Sequence, residues 1–140
     1  MTGETDLTTL LHNLSPSLNP QDYVFCTIAD AAYGDFAEHK PLASFMETEG
    51  LTLVLLKSSA DKAGLTYEGS FKCITLNVHS SLEAVGLTAA VATRLAEQGI
   101  SANVIAAFFH DHIFVASADA DRALAALQSD SFKIVAEDLV

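Results

Sequence analysis

The order of hydrophobic patterns over residues 71–135 constrains the fold more than any other feature of the chain. In residues 71–79, Ile74, Leu76 and Val78 alternate with Thr75, Asn77 and His79, as in a half-buried strand. Residues 83–98 switch to a helical period: Leu87, Val91 and Leu95 line one face, flanked by Ala84, Thr88 and Ala92, and Gly99 follows at the C-cap position. Strands are then predicted over 101–108 and 113–116, with 109–112 as the turn region. The spacing of Ala120, Ala123, Leu124 and Leu127 predicts a helix over 119–128 with Ser117 as its cap, and residues 132–135 read as a last strand.

That order, β-α-β-β-α-β, is ferredoxin-like and predicts a four-stranded antiparallel sheet with two helices on one face. The first half echoes its later part. Leu7, Leu10, Leu11 and Leu14 mark a helix capped by Thr5 and ended by Ser15-Pro16. Residues 23–28 read as a strand and 29–40 as a loop with a helical turn. A hairpin over 42–56 turns at Thr48-Glu49-Gly50, with Gly50 supplying a positive φ. A short helix over 58–64, capped by serine and stopped by Gly64, completes the segment. The expected class is therefore α+β: two ferredoxin-like modules, residues 1–69 and 70–140, the first incomplete at its N-terminal side because it lacks the long Gly-opened helix.

Charge removes several function classes. Seven Lys and Arg against 18 Asp and Glu give a net charge of -11, which disfavours nucleic acid and anionic membrane as partners. No apolar run reaches the roughly 18 residues of a membrane span, and the acidic start is no targeting peptide, so a cytoplasmic location is expected. Cys26 and Cys73 sit far apart in apolar runs and read as buried thiols.

The segment Glu83-Ala84-Val85-Gly86-Leu87-Thr88 through Leu95-Ala96-Glu97-Gln98-Gly99-Ile100-Ser101-Ala102-Asn103-Val104-Ile105 resembles an ACT domain, in a form like the regulatory ACT domains of aspartate kinases. With the segments 47–54, 78–88 and 109–115, the chain is similar to small stand-alone tandem ACT proteins. The resemblance implies a regulatory, non-enzymatic protein that pairs side by side, as a homodimer, and binds an amino acid at the seam. Carried over residue by residue, the ligand loop is Glu83, Ala84, Val85, Gly86 and Leu87, and the strand start is Asn103, Val104 and Ile105. With no catalytic domain in the sequence, output would pass through an unidentified protein partner.

Elementary chemistry supports the same residues. A helix start offers unpaired N–H groups and a positive dipole end, so a carboxylate is held there without Lys or Arg. Gly86 lets a ligand approach backbone, Asn103 both donates and accepts, and Glu83 or Asp111 would counter an α-amino group. Against these stand plainer roles: helix packing for Gly86, and an edge-backbone partner for Asn103. No catalytic constellation, metal set or cofactor motif is complete. His79 beside Ser80-Ser81 lacks a third member, Glu47 and Glu49 read as solvated, and the glycines form no phosphate loop. A metal enzyme using His79, His110 and His112 remains as an alternative, beside a purely structural module with no ligand. His110-Asp111-His112 is read as a polar hairpin turn.

Overall fold

A computed structural model describes residues 6–78, 85–130 and Phe132. Its elements are α1 (Leu7–His12), β1 (Pro16–Leu18), β2 (Tyr23–Ile28), β3 (Ala43–Glu47), β4 (Gly50–Leu56), α2 (Lys57–Ala63), β5 (Phe71–Leu76), α3 (Leu87–Glu97), β6 (Asn103–Ala106), β7 (Asp111–Ala116) and α4 (Ala120–Gln128). Single 3₁₀ turns at Ala37–His39 and Ser117–Asp119 complete the set.

The chain folds as two compact units, Gln21–Phe71 and a discontinuous one made of Met1–Pro20 with Lys72–Val140. This cuts the chain differently from linear modules of residues 1–69 and 70–140. The reason is β1, which pairs antiparallel with β5 through Pro16↔Leu76, Ser17↔Thr75 and Leu18↔Ile74. The strand order of the discontinuous unit is β1–β5–β7–β6. β1 thus takes the fourth-strand position beside β5 that sequence reading gave to residues 132–135. Phe132 is instead helical and buried, with the Arg94 guanidinium 5.8 Å from its ring centroid, while 133–135 lie outside the described residues.

The core of this unit explains its helices. Leu10 and Leu11 of α1, with Leu14 just beyond it, meet Ile74, Leu76, Ile113 and Val115 of the sheet. Leu87, Val91 and Leu95 of α3, and Ala123 and Leu127 of α4, close the cluster. The cap of α1 is Asp6 rather than Thr5: its carboxylate accepts the Thr9 N–H at 3.1 Å and the Thr9 hydroxyl at 2.6 Å, which lowers its pKa. At the far end of α3, Gly99 (φ 73°) lets Ile100 N–H reach the Leu95 carbonyl at 2.9 Å, a Schellman closure. Arg94 Nε donates to the Ala126 carbonyl at 3.1 Å and Arg122 to the Gln98 carbonyl at 3.0 Å, tying α3 to α4.

The unit Gln21–Phe71 orders its strands β3–β4–β2, with Phe71 pairing Tyr23 on the free side of β2. Val24, Cys26, Leu51, Leu53, Leu55 and Ala60 form its core. The expected α+β class holds, and so does the missing long helix: residues 29–42 carry only the 3₁₀ turn Ala37–His39. Both cysteines are buried thiols, and burial pushes their pKa values up. The serine cap expected on α2 is absent; Leu56 occupies that position without a side-chain bond, and Gly64 ends the helix in the left-handed region as expected.

Gly50 acts differently from the expected turn glycine. The β3–β4 register runs Glu47↔Gly50, so Thr48-Glu49 form the turn and Gly50 opens β4. A Cβ there would lie 2.7 Å from the Ile28 carbonyl oxygen, a backbone atom that cannot rotate away. Gly50→Ala should therefore destabilise the protein by about 1–3 kcal/mol, the usual cost of overpacking, read as a lower urea midpoint. A wild-type midpoint would refute the close approach.

Candidate functional site

The expected ligand loop leads into α3. Gly86 caps that helix in a left-handed conformation (φ 94°, ψ −15°), and its carbonyl accepts the Ala90 N–H at 2.9 Å. Glycine has no side chain with which to cap, so it leaves the leading N–H groups of α3 unclaimed from its own position. Val85 beside it is 83% exposed, whereas Leu87 is buried in the core. A Cβ on Gly86 would lie 3.2 Å from a Leu7 methyl, so the glycine lets α1 pack closely, the helix-packing role weighed from sequence; Val85 is exposed and the Leu87 side chain is not. Glu83, Ala84 and His79 lie outside the described residues.

The second expected segment opens β6, the edge of its sheet. Asn103 Nδ2 donates to the Phe114 carbonyl at 3.1 Å, the edge-backbone role weighed from sequence. That bond fixes the amide and leaves Oδ1 without a partner among the described residues. Val104 and Ile105 are half-buried, with Val104 packed on the core. The two segments stand at opposite ends of α3. At 1.5 Å per residue the helix sets Gly86 roughly 16 Å from Glu97, just before the turn at Gly99 that leads to Asn103. A single amino acid does not span that distance.

A polar cluster lies at the start of β7. The register Ala106↔Asp111 and Ile105↔His112 puts Asp111 and His112 in the strand instead of the turn, which is closed by Ala107 N–H donating to the His110 carbonyl at 3.0 Å. Asp111 is buried, and burial raises its carboxyl pKa, partly offset by His112 and His110. The signal was present in the sequence: Asp111, Ile113 and Val115 share one face at period two. His112 Nδ1 and Thr75 Oγ1 share a hydrogen bond at 2.9 Å. Burial, then His110, lower the His112 pKa, and Asp111 works against them. The His110 and His112 rings are 6.5 Å apart and edge-on. Among the described residues, no three His, Cys, Asp or Glu side chains are grouped to hold a metal. Phe108 and Phe109, at the hairpin tip, are 62% and 55% exposed.

Two ferredoxin-like modules, a glycine-opened helix and an edge strand define a class of small tandem regulatory domains. Family models described as ACT domain match residues 2–72 and 68–129, so the chain belongs to the ACT-domain family and carries two such domains. It is similar to a crystal structure of a Vibrio cholerae protein of unknown function, at 54% identity over 91% of this chain and 95% of that one, TM-score 0.81. An Agrobacterium tumefaciens protein shares the fold at 18% identity over 80% and 84% of the two chains, TM-score 0.67. The regulatory subunit of Thermus thermophilus aspartate kinase does so at 12% identity over 80% and 93%, TM-score 0.55. A search of curated proteins finds no match. No helix among the described residues is long and apolar enough to cross a membrane.

The His112 environment gives a signed pH dependence. Its folded pKa lies below the ordinary value, so the unfolded ring binds a proton first as pH falls, and stability drops through and below about pH 6.5. In His112→Gln the fall in urea midpoint between about pH 7.5 and 5.5 should be shallower. Parallel curves for the two proteins would contradict this.

Proposed function

We propose that this protein is a non-catalytic sensor that binds an amino acid between two copies of its C-terminal ACT module. The backbone at the start of α3 holds the ligand carboxylate, with Gly86 and Val85 admitting it to that backbone. The fixed Asn103 amide of the second copy presents Oδ1 to the α-ammonium group, beside Val104 and Ile105. The observation that carries this reading is the uncapped glycine start of α3, set one helix length from Asn103. The first favours an anion without any basic side chain. The second requires that the site be completed across a homodimer.

Pairing uses the exposed edge of β6, whose outer backbone groups have no strand neighbour in the described sheet order. A ligand at the seam favours the paired state by its differential affinity for that state, and the change in assembly is the output read by a protein partner. The mechanism needs no cofactor and is consistent with a cytoplasmic location.

Calorimetry against the twenty amino acids, with light scattering in parallel, tests the proposal. One or a few should bind and shift the protein toward dimer. Asn103→Ala should weaken that binding at least tenfold. Gly86→Ala should do the same while costing about 1–2 kcal/mol of stability, because its left-handed backbone penalises a side chain. A dimer with flat titrations throughout would instead establish a structural pairing module.

A further inference from the structure

Two imidazoles stand side by side where β7 begins. His110 lies just before the strand and His112 within it. Two positions apart on an extended chain, they share one face, while Asp111, Ile113 and Val115 take the other. Both histidines are half-buried, and their ring centroids are 6.5 Å apart.

Each ring turns Nδ1 toward the protein. His112 Nδ1 lies 2.9 Å from Thr75 Oγ1, and His110 Nδ1 lies 3.4 Å from the Val78 carbonyl oxygen. A carbonyl only accepts, so the His110 contact places the proton on Nδ1. Thr75 also hydrogen-bonds the Cys73 side chain in the sense that lowers the thiol pKa, with the hydroxyl donating. Its oxygen is then left to accept the His112 Nδ1–H. Both rings therefore carry their lone pair on Nε2, and neither Nε2 has a partner among the described residues. Metal-ligating histidines are held in this way, one nitrogen bonded to an acceptor and the other open.

Two imidazoles on one ion, each nitrogen about 2.0–2.1 Å from it, place their centroids roughly 4.5–6.4 Å apart, from adjacent to opposite positions. The observed separation sits just beyond the wide end. The long contact to Val78 is the weaker tie, so a small rotation of His110 closes the pair. Hard ions such as Mg²⁺ and Ca²⁺ need oxygen ligands. A closed zinc site needs four protein ligands, and among the described residues no third His, Cys, Asp or Glu joins these two. Two protein nitrogens with the remaining positions left to water suit the tetragonal preference of Cu²⁺, the divalent first-row ion that such ligands hold most tightly. The net charge of -11 favours any cation near the surface.

We propose that His110 and His112 form a binding site for an imidazole-seeking divalent transition-metal ion, tightest for Cu²⁺, with Thr75 as the positioning residue of His112. The site uses neither the start of α3 nor Asn103, so it stands or falls separately from the amino-acid site.

The test titrates the metal-stripped full chain with the chlorides of Cu²⁺, Zn²⁺ and Mg²⁺ by calorimetry. Cu²⁺ should bind at one site, Zn²⁺ at least about tenfold more weakly, and Mg²⁺ not at all. His110→Gln and His112→Gln should each weaken Cu²⁺ at least about tenfold, and Thr75→Val about tenfold through the lost anchor. His39→Gln, in the other unit, should leave the affinity unchanged. Electron paramagnetic resonance of the wild-type Cu²⁺ complex should show hyperfine structure from two imidazole nitrogens, a readout that needs no variant. No saturable Cu²⁺ binding, fewer than two nitrogens in the spectrum, or Cu²⁺ binding that survives the double substitution of His110 and His112 would overturn the assignment.

Discussion

The pairing of β1 with β5 is the constraint on which the larger unit depends. Three residues, Pro16–Leu18, supply the outer strand of its sheet, and they are tied down beyond the ladder itself. Asn77 Nδ2 donates to the Ser15 carbonyl at 2.8 Å and the Ser17 hydroxyl at 3.0 Å; Asn19 N–H reaches the Cys73 carbonyl at 2.9 Å; Lys72 Nζ reaches the Pro20 carbonyl at 2.7 Å. Holding β1 there also delivers Leu10, Leu11 and Leu14 into the core, all fully buried. Each fully buried leucine contributes roughly 1.5–3 kcal/mol. The cost is closure of the loop formed by residues 21–71, which grows only logarithmically with length. An edge position also suits Pro16, which has no N–H to donate to a further neighbour.

The same economy shapes the proposed amino-acid site. α3 is anchored along one side by Leu87, Val91 and Leu95, so its N-terminus is presented by a rigid element instead of a loose loop. Leaving Gly86 at that end forgoes a side-chain cap, a loss of only about a few tenths of a kcal/mol relative to a good capping residue. A ligand carboxylate would recover that loss on binding. Because α3 separates its own start from the start of β6, the proposed site would make ligand recognition and pairing one event.

Sequence patterns revealed the elements whose cause is local. Residues 23–28 are an uninterrupted apolar and β-branched run, α3 carries three aligned large residues and two flanking glycines, and Gly64 stops α2. Elements whose cause is distant were not legible. β1 is too short and too proline-bound to read as a strand until β5 is beside it. Phe132-Lys133-Ile134-Val135 has strand composition, yet Phe132 is drawn into the helical core under Arg94. The same division runs through the candidate site. Gly86 is visible as a glycine opening a helix, whereas the anchoring of Asn103 by the Phe114 carbonyl depends on a pairing that only the folded hairpin defines. Asp111 was readable from period two, but its neighbouring histidines drew the segment toward a turn reading.

The two units answer one geometric problem in different ways. In the smaller unit β2 and β3 both run antiparallel to β4 and hence parallel to each other, so the chain must cross the sheet between them. Such a crossover normally takes a dozen or more residues, most of them helical. α3 meets that need in the larger unit. Residues 29–42 meet it with a single 3₁₀ turn, and the shortfall is visible in the three left-handed residues Asp30, Phe36 and Lys40. A left-handed residue other than glycine costs roughly 1–2 kcal/mol. Phe36 offsets part of that by packing against the core, and α2 supports the sheet through Ala60. Leu51 and Leu53 are each 1% exposed, so a loop with Ala31 and Phe36 packed on the core covers this face of the sheet without a helix.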